Sequence, residues 1–484
     1  MLSEDRFVEL FRRLSSIDLL GAGPPAPPWG DGVPGASAVR AAIDREADAL
    51  PIVFQDAYIS PLEVNIDRVL RQVAGDSMIV ETLAGAVFDH GAEEISPQLH
   101  RFLAVISNLH RSFLSAGRRA AAGFPEIDEQ LPPLAMFQHV GDFGPFTLPV
   151  DAVKGLFGGT VGVVSLPATY ADHPLLWASL AHETGGHDVL HADSGLLPEL
   201  GRGVRAFFGT PSAAPGTKLT IGQFLGLLWS YWMDEAASDV YGVMNIGPTF
   251  GLSLAAFFAA LEERIDPTGS PSLRNVSGAD ERGILDPHPT DLLRLHLILG
   301  ATESLLGLSQ TKRDEYASDL VTLGALCGGG ATTITIQGLL PTAPGVGIPV
   351  NATLPIAPMQ TAARQVGTFI ASATLHALGD KTIQDVETWD DVDEGAAVRI
   401  ADGMGRDASV AGAGDDAALL AGGTLAALAD PDGYETIMRR LDEALDLSFQ
   451  MDPYWSAAER DPIFLRTVLL LEEAEELSTY ATVG

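Results

Sequence analysis

Apolar residues recur at helical spacing along most of this chain, and this periodicity constrains its fold more than any other feature. In "PLEVNIDRVLRQVA" (61–74) and "SPQLHRFLAVISNLHRSFLSAGRRAA" (96–121), apolar side chains fall at positions i, i+3, i+4 and i+7. That spacing places them on one face of an α-helix. The sequence therefore predicts a predominantly helical protein.

Short β-like stretches interrupt the helical pattern. Residues 135–150 and 331–337 are strand-like, and "GTVGVVSLPA" (159–168) is short, β-branched and bounded by glycine, which predicts a strand. The proline-rich stretch 341–358 predicts a loop. We expect an α+β fold with more helix than strand. A small β-sheet would lie next to the helix of residues 171–192, and the second half of the chain would be helical.

The composition of the chain and the position of its Pro/Gly-rich stretch suggest four consecutive regions. An N-terminal helix and a Pro/Gly-rich linker occupy 1–36, a helical region follows at 37–130, and a region with the candidate site spans 131–330. Residues 331–484 form a mixed C-terminal region of unknown role. Within it, the acidic stretch "VETWDDVDEG" (386–395) is typical of a solvated face, and two helices close the chain.

The net charge of −35 and the pI near 4.4 disfavour nucleic acid and anionic membrane surfaces as partners, because both need a basic face. The single cysteine, Cys327, allows no internal disulfide and fits a reducing compartment. The N-terminus lacks the features of a signal peptide, and no uncharged apolar run is long enough to span a membrane. We therefore expect a cytoplasmic protein.

The stretch "AHETGGHDVLH" (181–191) nearly matches the zinc-protease motif H-E-x-x-H, with one extra residue between His182 and His187. Because an ideal helix turns about 100° per residue, side chains five apart differ by about 140° and cannot share an ion. Gly185 and Gly186 give the backbone the freedom for a one-residue bulge. The sequence predicts a bulged helix in which both histidines bind one metal, with Asp172 as its cap and a proline in its first turn.

A second segment offers a third ligand. Residues 221–245 predict one long helix that is nearly apolar until Asp234. It bears Glu235 and Asp239 four apart on one face, where a buried carboxylate is costly unless it binds something. Catalytic zinc often takes two histidines and one glutamate, so Glu235 is the predicted third ligand. Asp239 is the predicted hydrogen-bond partner of a ligand histidine.

Together these two segments resemble the gluzincin metallopeptidases, the thermolysin-like group. That group pairs H-E-x-x-H with a downstream helix of the N-E-A-x-S-D type, and this chain has "DEAASDVYG" at 234–242. The inserted residue resembles the dipeptidyl-peptidase III family, whose motif is H-E-x-x-G-H, since Gly186 precedes His187 here. The resemblance covers about residues 155–245.

The resemblance implies a zinc-dependent peptidase with peptide or protein substrates. It implies one zinc ion per chain, bound by His182, His187 and Glu235. It also implies that Glu183 is the general base that activates a metal-bound water, and that Asp239 hydrogen-bonds to one of the metal ligands.

Zinc proteases also use a histidine or tyrosine donor to hold the oxyanion of the tetrahedral intermediate. Here His288 and Tyr241 are the candidates. The strand at 159–168 resembles the edge strand that pairs with an extended substrate in this superfamily.

Three alternatives remain open on the sequence alone. His187 and His191 have the proper H-x-x-x-H spacing, with Asp188 in the position of the base. The His187–Asp188 pair also resembles HD-type metal phosphohydrolases, with His139 or His173 as a further ligand. The third alternative is a metal-binding protein without proteolytic activity that acts through partners. Manganese, cobalt or iron would also suit a His₂Glu ligand set.

Overall fold

The computed structural model describes residues 2–21, 36–47, 50, 54–72, 77–93, 95–114, 119–120, 123–125, 131–138, 144–210, 219–265, 267–343 and 345–452. This part of the chain is predominantly helical and has two mixed three-stranded sheets, which confirms the predicted α+β class. None of the helices within it combines the length and the apolar character needed to cross a bilayer.

The α-helices of the described residues fall into two groups around the histidine motif. Before it lie Glu4–Ser15, Ala36–Glu46, Ser60–Gln72, Ser77–Gly91, Ser96–Leu114 and Val150–Phe157. After it lie Leu196–Phe208, Ile221–Tyr231, Met233–Ile246, Thr249–Ile265, Asp291–Glu303, Gln310–Cys327, Ile356–Ser372, Asp391–Gly405, Asp416–Ala429 and Tyr434–Met451. Shorter 3₁₀ or π turns occur at Gln55–Ile59, Ala168–Asp172, His376–Leu378, Ile383–Asp385 and Pro431–Gly433.

The chain forms two compact units, each assembled from separate segments. The first unit comprises Met1–Ser16, Asp193–Gly395 and Ala427–Pro431; the second comprises Ile17–Ala192, Ala396–Ala426 and Asp432–Gly484. The units therefore alternate along the sequence, whereas the four regions inferred from the sequence follow one another.

In the second unit, a small sheet packs against helices. It contains β1 (Leu134–Gln138), β2 (Phe146–Leu148) and β3 (Val163–Pro167) in the order β1-β3-β2. β3 is parallel to β1 and antiparallel to β2. The helices Ser77–Gly91 and Ser96–Leu114 cover β1. Every residue of β1 and β3 is buried, so this sheet belongs to the core of the unit.

The strand predicted at 159–168 is β3, but the expectation that it is an edge strand is wrong. β3 is the central strand, with a hydrogen-bonded neighbour on each side. Its apolar residues Val163, Val164 and Leu166 do not alternate with exposed ones, and the intervening Ser165 is buried too, as expected of a strand buried on both faces. The edge beside β3 that contacts the histidine motif is the half-exposed β2.

Residues 174–192, called the motif helix below, change conformation along their length. A 3₁₀ turn at Pro174–Ser179 leads into α-helix at Leu180–His182, π-helix at Glu183–Asp188 and α-helix at Val189–Ala192. The predicted cap is wrong, because the N-cap is His173, without a side-chain cap bond, and Asp172 ends the preceding 3₁₀ turn.

The first unit contains the helix Met233–Ile246, called the carboxylate helix below, which packs on Asp291–Glu303. The single helix predicted at 221–245 is interrupted, because one helix ends at Tyr231 and the next begins at Met233. Between them, the Trp232 indole is wholly buried and donates a hydrogen bond of 3.0 Å to the carbonyl oxygen of Asp286. This anchor fixes the point at which the two helices meet.

The loop predicted at 341–358 is wrong over most of its length. In the first unit, β5 (Thr333–Ala343) and β6 (Val346–Pro355) form an antiparallel hairpin, and β4 (Val276–Ser277) pairs with β5 in parallel. β6 is the outer strand in the order β4-β5-β6. Proline cannot donate to a sheet ladder, but an edge strand tolerates it. Residues such as Val350 and Thr353 supply the β-propensity that the prolines obscured.

The acidic stretch 386–395 is not simply a solvated face. Glu394 is buried in the first unit, where Tyr316 donates its hydroxyl to the carboxylate at 3.1 Å and Trp389 donates its indole N–H at 3.3 Å. Lys312 lies 3.5 Å away. One of the acidic residues therefore stabilises the core of this unit.

Two glycines allow the helices Asp291–Glu303 and Ile356–Ser372 to cross closely. A Cβ atom at Gly367 would overlap the carbonyl oxygen of Leu297, and one at Gly300 would overlap that of Arg364. Both helices belong to the first unit. Small residues at such a crossing are needed because the backbones themselves are in contact.

We expect Gly367→Ala to lower the free energy of unfolding by about 2–3 kcal/mol, because the helices must separate to admit the methyl group. Gly324→Ala, in the helix Gln310–Cys327, is the matched control, since its added Cβ would meet only His296 at 3.8 Å. Alanine there should be neutral or should stabilise by up to about 1 kcal/mol. Urea denaturation followed by circular dichroism measures both. Equal stability of the two variants would contradict the close crossing.

Candidate metal centre

The motif helix brings its two predicted histidine ligands together. The π-helical segment Glu183–Asp188 includes the glycine pair and adds one residue within one turn, as the five-residue spacing predicted. The Nε2 atoms of His182 and His187 lie 3.1 Å apart, and their rings are nearly perpendicular. The predicted bulge is therefore confirmed within this unit.

That nitrogen–nitrogen distance suits two kinds of contact. One neutral imidazole can donate an N–H to the other, or both nitrogens can face one cation. Zinc–nitrogen bonds of about 2.0–2.1 Å at a tetrahedral angle place two ligand nitrogens about 3.3 Å apart. His182 is 7 % exposed and His187 is half-buried. The pair is therefore close to ligand geometry without rearrangement of the helix.

The predicted general base is held by a neighbouring strand. The hydroxyl of Thr147, in β2, lies 2.8 Å from Oε2 of Glu183 and 3.1 Å from the carbonyl oxygen of the same residue. Glu183 is only 6 % exposed. Burial raises the pKa of Tyr170 well above its usual value, and the nearby charge of Glu183 raises it further. The carboxylate thus lies in a restricted polar position beside the two histidines.

Two further polar residues of the motif helix, Asp188 and His191, have partners inside the second unit. Asp188 is buried, its Oδ2 lies 3.5 Å from Nε2 of His110, and its carboxylate accepts a backbone hydrogen bond from Val150. Burial raises the pKa of Asp188 to about 7 and lowers that of His110 to about 3. Nδ1 of His191 lies 3.0 Å from a carboxylate oxygen of Asp151. These contacts hold the C-terminal end of the π-helical segment.

In the first unit, the predicted third ligand lies beside a predicted oxyanion donor. Glu235, 8 % exposed on the carboxylate helix, has Oε1 3.2 Å from Nε2 of His288. The other ring nitrogen of His288 lies 2.7 Å from Oδ1 of Asp286. Burial alone would lower the pKa of His288, but attraction to Glu235 and the bond to Asp286 raise it to about 9. Its side chain remains 45 % exposed.

Asp286 is itself fixed by its neighbours. Its Oδ1 accepts a hydrogen bond from the backbone N–H of His288 at 3.0 Å, and its Oδ2 accepts one from Arg274 at 2.7 Å. Partial burial acts in the opposite direction, but these contacts hold the pKa of Asp286 well below its usual range. An ionised Asp286 orients the His288 ring and stabilises its positive charge. Neither Asp286 nor Arg274 was identified from the sequence.

The carboxylate helix also positions Asp239 and Tyr241. Arg294 donates two hydrogen bonds to the Asp239 carboxylate, at 2.7 and 2.8 Å, and its guanidinium lies over the ring of Phe258. Arg294 is almost wholly buried and was missed in the sequence. Tyr241 is 1 % exposed. The predicted pairing of Asp239 with a ligand histidine stays a prediction, as does the oxyanion role of Tyr241.

Each unit contains donor types that suit a metal ion. The second unit has the imidazoles of His182, His187 and His191, and the first unit has the carboxylates of Asp234 and Glu235. The binding of one ion by residues of both units stays a prediction.

The chain matches no known protein family, no curated protein and no solved structure. Any assignment of function therefore depends on the chemistry of these residues.

Proposed function

We propose that this protein is a zinc-dependent peptidase. One zinc ion would bind His182, His187 and Glu235, and Glu183 would act as the general base. The observation that supports this most is local to the motif helix. The π-helical segment sets two imidazole nitrogens 3.1 Å apart, and Glu183, which immediately follows His182, is fixed by Thr147.

The donor set fits a catalytic zinc ion by its chemistry. Two neutral imidazoles and one carboxylate give three protein ligands, and this number leaves a coordination position for a water or a substrate. When bound, zinc polarises a carbonyl group and lowers the pKa of water toward about 7. Manganese, cobalt and iron also accept such ligands, so the identity of the metal has to be measured.

Glu183 is suited to moving a proton. Thr147 occupies its Oε2, so Oε1 is the oxygen that can take a proton from the attacking water and deliver it to the leaving amine. A carboxylate held in one rotamer loses less entropy on reaching the reactive geometry. A protein that only bound metal would have no need of such a base.

His288 is suited to stabilising negative charge on the substrate. Asp286 fixes the ring through Nδ1, and Nε2 lies 3.2 Å from Oε1 of Glu235. If Glu235 binds the metal, Nε2 of this half-exposed imidazole is the nitrogen that can donate a hydrogen bond to the oxyanion of a tetrahedral intermediate. We therefore favour His288 over the buried Tyr241 in this role.

The phosphohydrolase hypothesis has less support. It needs Asp188 as a metal ligand, but this side chain is 2 % exposed and faces His110. Nδ1 of His173, one candidate for its further ligand, lies 3.2 Å from the hydroxyl of Tyr434, and His139, the other, lies outside the described residues. The hypothesis also leaves Glu183 without a role.

Metal analysis combined with a peptide-cleavage assay tests the proposal. In protein purified without added metal, we expect about one zinc per chain by mass spectrometry, as for a single three-ligand catalytic site. We also expect hydrolysis within a mixed peptide library. Removal of the metal with 1,10-phenanthroline should abolish cleavage, and added zinc should restore it.

A metal-loaded protein that cleaves no peptide would contradict the proposal and favour a binding function. Hydrolysis of phosphate esters instead of peptides would favour the phosphohydrolase hypothesis. Because the chain carries a net charge of −35, the library should include basic peptides, which its field would attract.

A further inference from the structure

We propose that Thr147 is a positioning residue that sets the orientation of the Glu183 carboxylate, an inference that rests on the proposed peptidase function. A single hydroxyl lies within hydrogen-bond distance of two oxygens of Glu183, Oε2 at 2.8 Å and the backbone oxygen at 3.1 Å. The hydroxyl thus links the end of the Glu183 side chain to its own main chain. This arrangement fixes the rotamer of the carboxylate.

Thr147 is itself held firmly. It is the middle residue of β2 and pairs with Val164 of the fully buried strand β3. Its β-branched side chain has few χ1 rotamers, so the strand determines where the hydroxyl lies. The backbone of β2 therefore fixes the position of the carboxylate at the start of the π-helical segment.

A hydrogen bond to an ionised carboxylate is stronger than one between neutral groups. Of the two contacts, the shorter one is to Oε2, which indicates that the hydroxyl proton is directed to the carboxylate. Oε1 then points elsewhere, and it is the oxygen available for proton transfer. Without the hydroxyl, the carboxylate can rotate, and a displacement of about 1 Å can cost a hundredfold in rate.

Thr147→Val removes the hydroxyl and keeps the shape of the side chain. We expect kcat for peptide cleavage to fall about 10–100-fold, a usual effect of losing a hydrogen bond that orients an active-site group. KM and zinc content should stay near their wild-type values, because the change affects neither a metal ligand nor substrate binding. Thr147→Ser retains the hydroxyl and should restore most of kcat.

A loss that comes only from perturbed structure should not follow this pattern. Ser165→Ala is the control, because it removes a buried hydroxyl from the adjacent β3, where Ser165 Oγ makes no hydrogen bond within the described residues. We expect it to leave kcat unchanged. In a protein that already carries Glu183→Gln, adding Thr147→Val should lower kcat little further, since both changes act through the side chain of residue 183.

If Thr147→Val does not fold, Thr147→Ala and Thr147→Ser give the same comparison. An active wild type whose kcat is unchanged by Thr147→Val, or is not rescued by serine, would overturn the role of Thr147 alone. Loss of zinc from Thr147→Val would overturn it too, because the effect would then act through the metal. A zinc-loaded wild type that cleaves no peptide would instead overturn the proposed function, and the Thr147 inference with it.

Discussion

Replacing Glu183 with glutamine should lower kcat for peptide cleavage by about a thousandfold, within the range attributed to general acid–base catalysis. The amide has nearly the shape of the carboxylate but cannot take a proton from water at neutral pH. The zinc content should remain that of the wild type, since Glu183 is not a proposed ligand. Steady-state kinetics on the best peptide of the library, beside metal analysis of the same preparation, measure both quantities.

Glu281→Gln makes the same chemical change at an exposed position and should leave kcat unaltered. If Glu183→Gln kept kcat within a few-fold of the wild type, another group would have to be the base. If it lost both zinc and activity, the carboxylate would be a ligand instead.

The second large effect is expected for Glu235→Ala. This change leaves two imidazoles, one ligand fewer than the three that catalytic zinc usually takes from protein. Zinc affinity should fall more than about 100-fold. Losing a residue that only hydrogen-bonds to a metal ligand already lowers metal affinity or activity about 10–100-fold. Zinc per chain, measured without added metal, should drop close to zero, and peptide cleavage should disappear with it.

Asp234→Ala is the matched control, because it removes the neighbouring carboxylate of the same helix. We expect this variant to keep its zinc. The opposite result, with zinc lost from Asp234→Ala and kept in Glu235→Ala, would indicate that the metal is bound by His187, His191 and Asp234 instead. Zinc retained in both variants would show that neither Asp234 nor Glu235 is required to bind it.

The sequence predicted those features that depend on local spacing. The extra residue between His182 and His187 required a bulge, and the Gly185–Gly186 pair indicated where it would occur. Apolar periodicity predicted most of the helices for the same reason. In each case the information lies within a few turns of helix.

Long-range contacts could not be predicted in this way. Thr147 bonds Glu183 across 36 positions, and Arg294 bonds Asp239 across 55. β2 is only three residues long, and the strand-like stretch 135–150 did not show where it begins or which strand it pairs with. Nothing in the sequence around these residues indicates which partner each would meet. A buried arginine on an apolar helix is the one signal that could have drawn attention to Arg294.

A loop was predicted where β6 lies because the segment is rich in proline, which is normally excluded from the middle of a sheet. Pro349 and Pro355 are tolerated since β6 pairs on one side only. The position of a strand within its sheet depends on the whole fold. The same reason explains why β3 was expected at an edge and is found at the centre.

The alternation of the two units along the chain has a consequence for truncated proteins. A fragment that ends at residue 330 loses β5, β6 and the helix Ile356–Ser372 from the first unit. It also loses the helix Tyr434–Met451 from the second, which packs on Ser96–Leu114. Deletion of the C-terminal third therefore damages both units at once. Inactivity of such a fragment says nothing about catalysis, and the role of this third is better sought with point substitutions in the full-length chain.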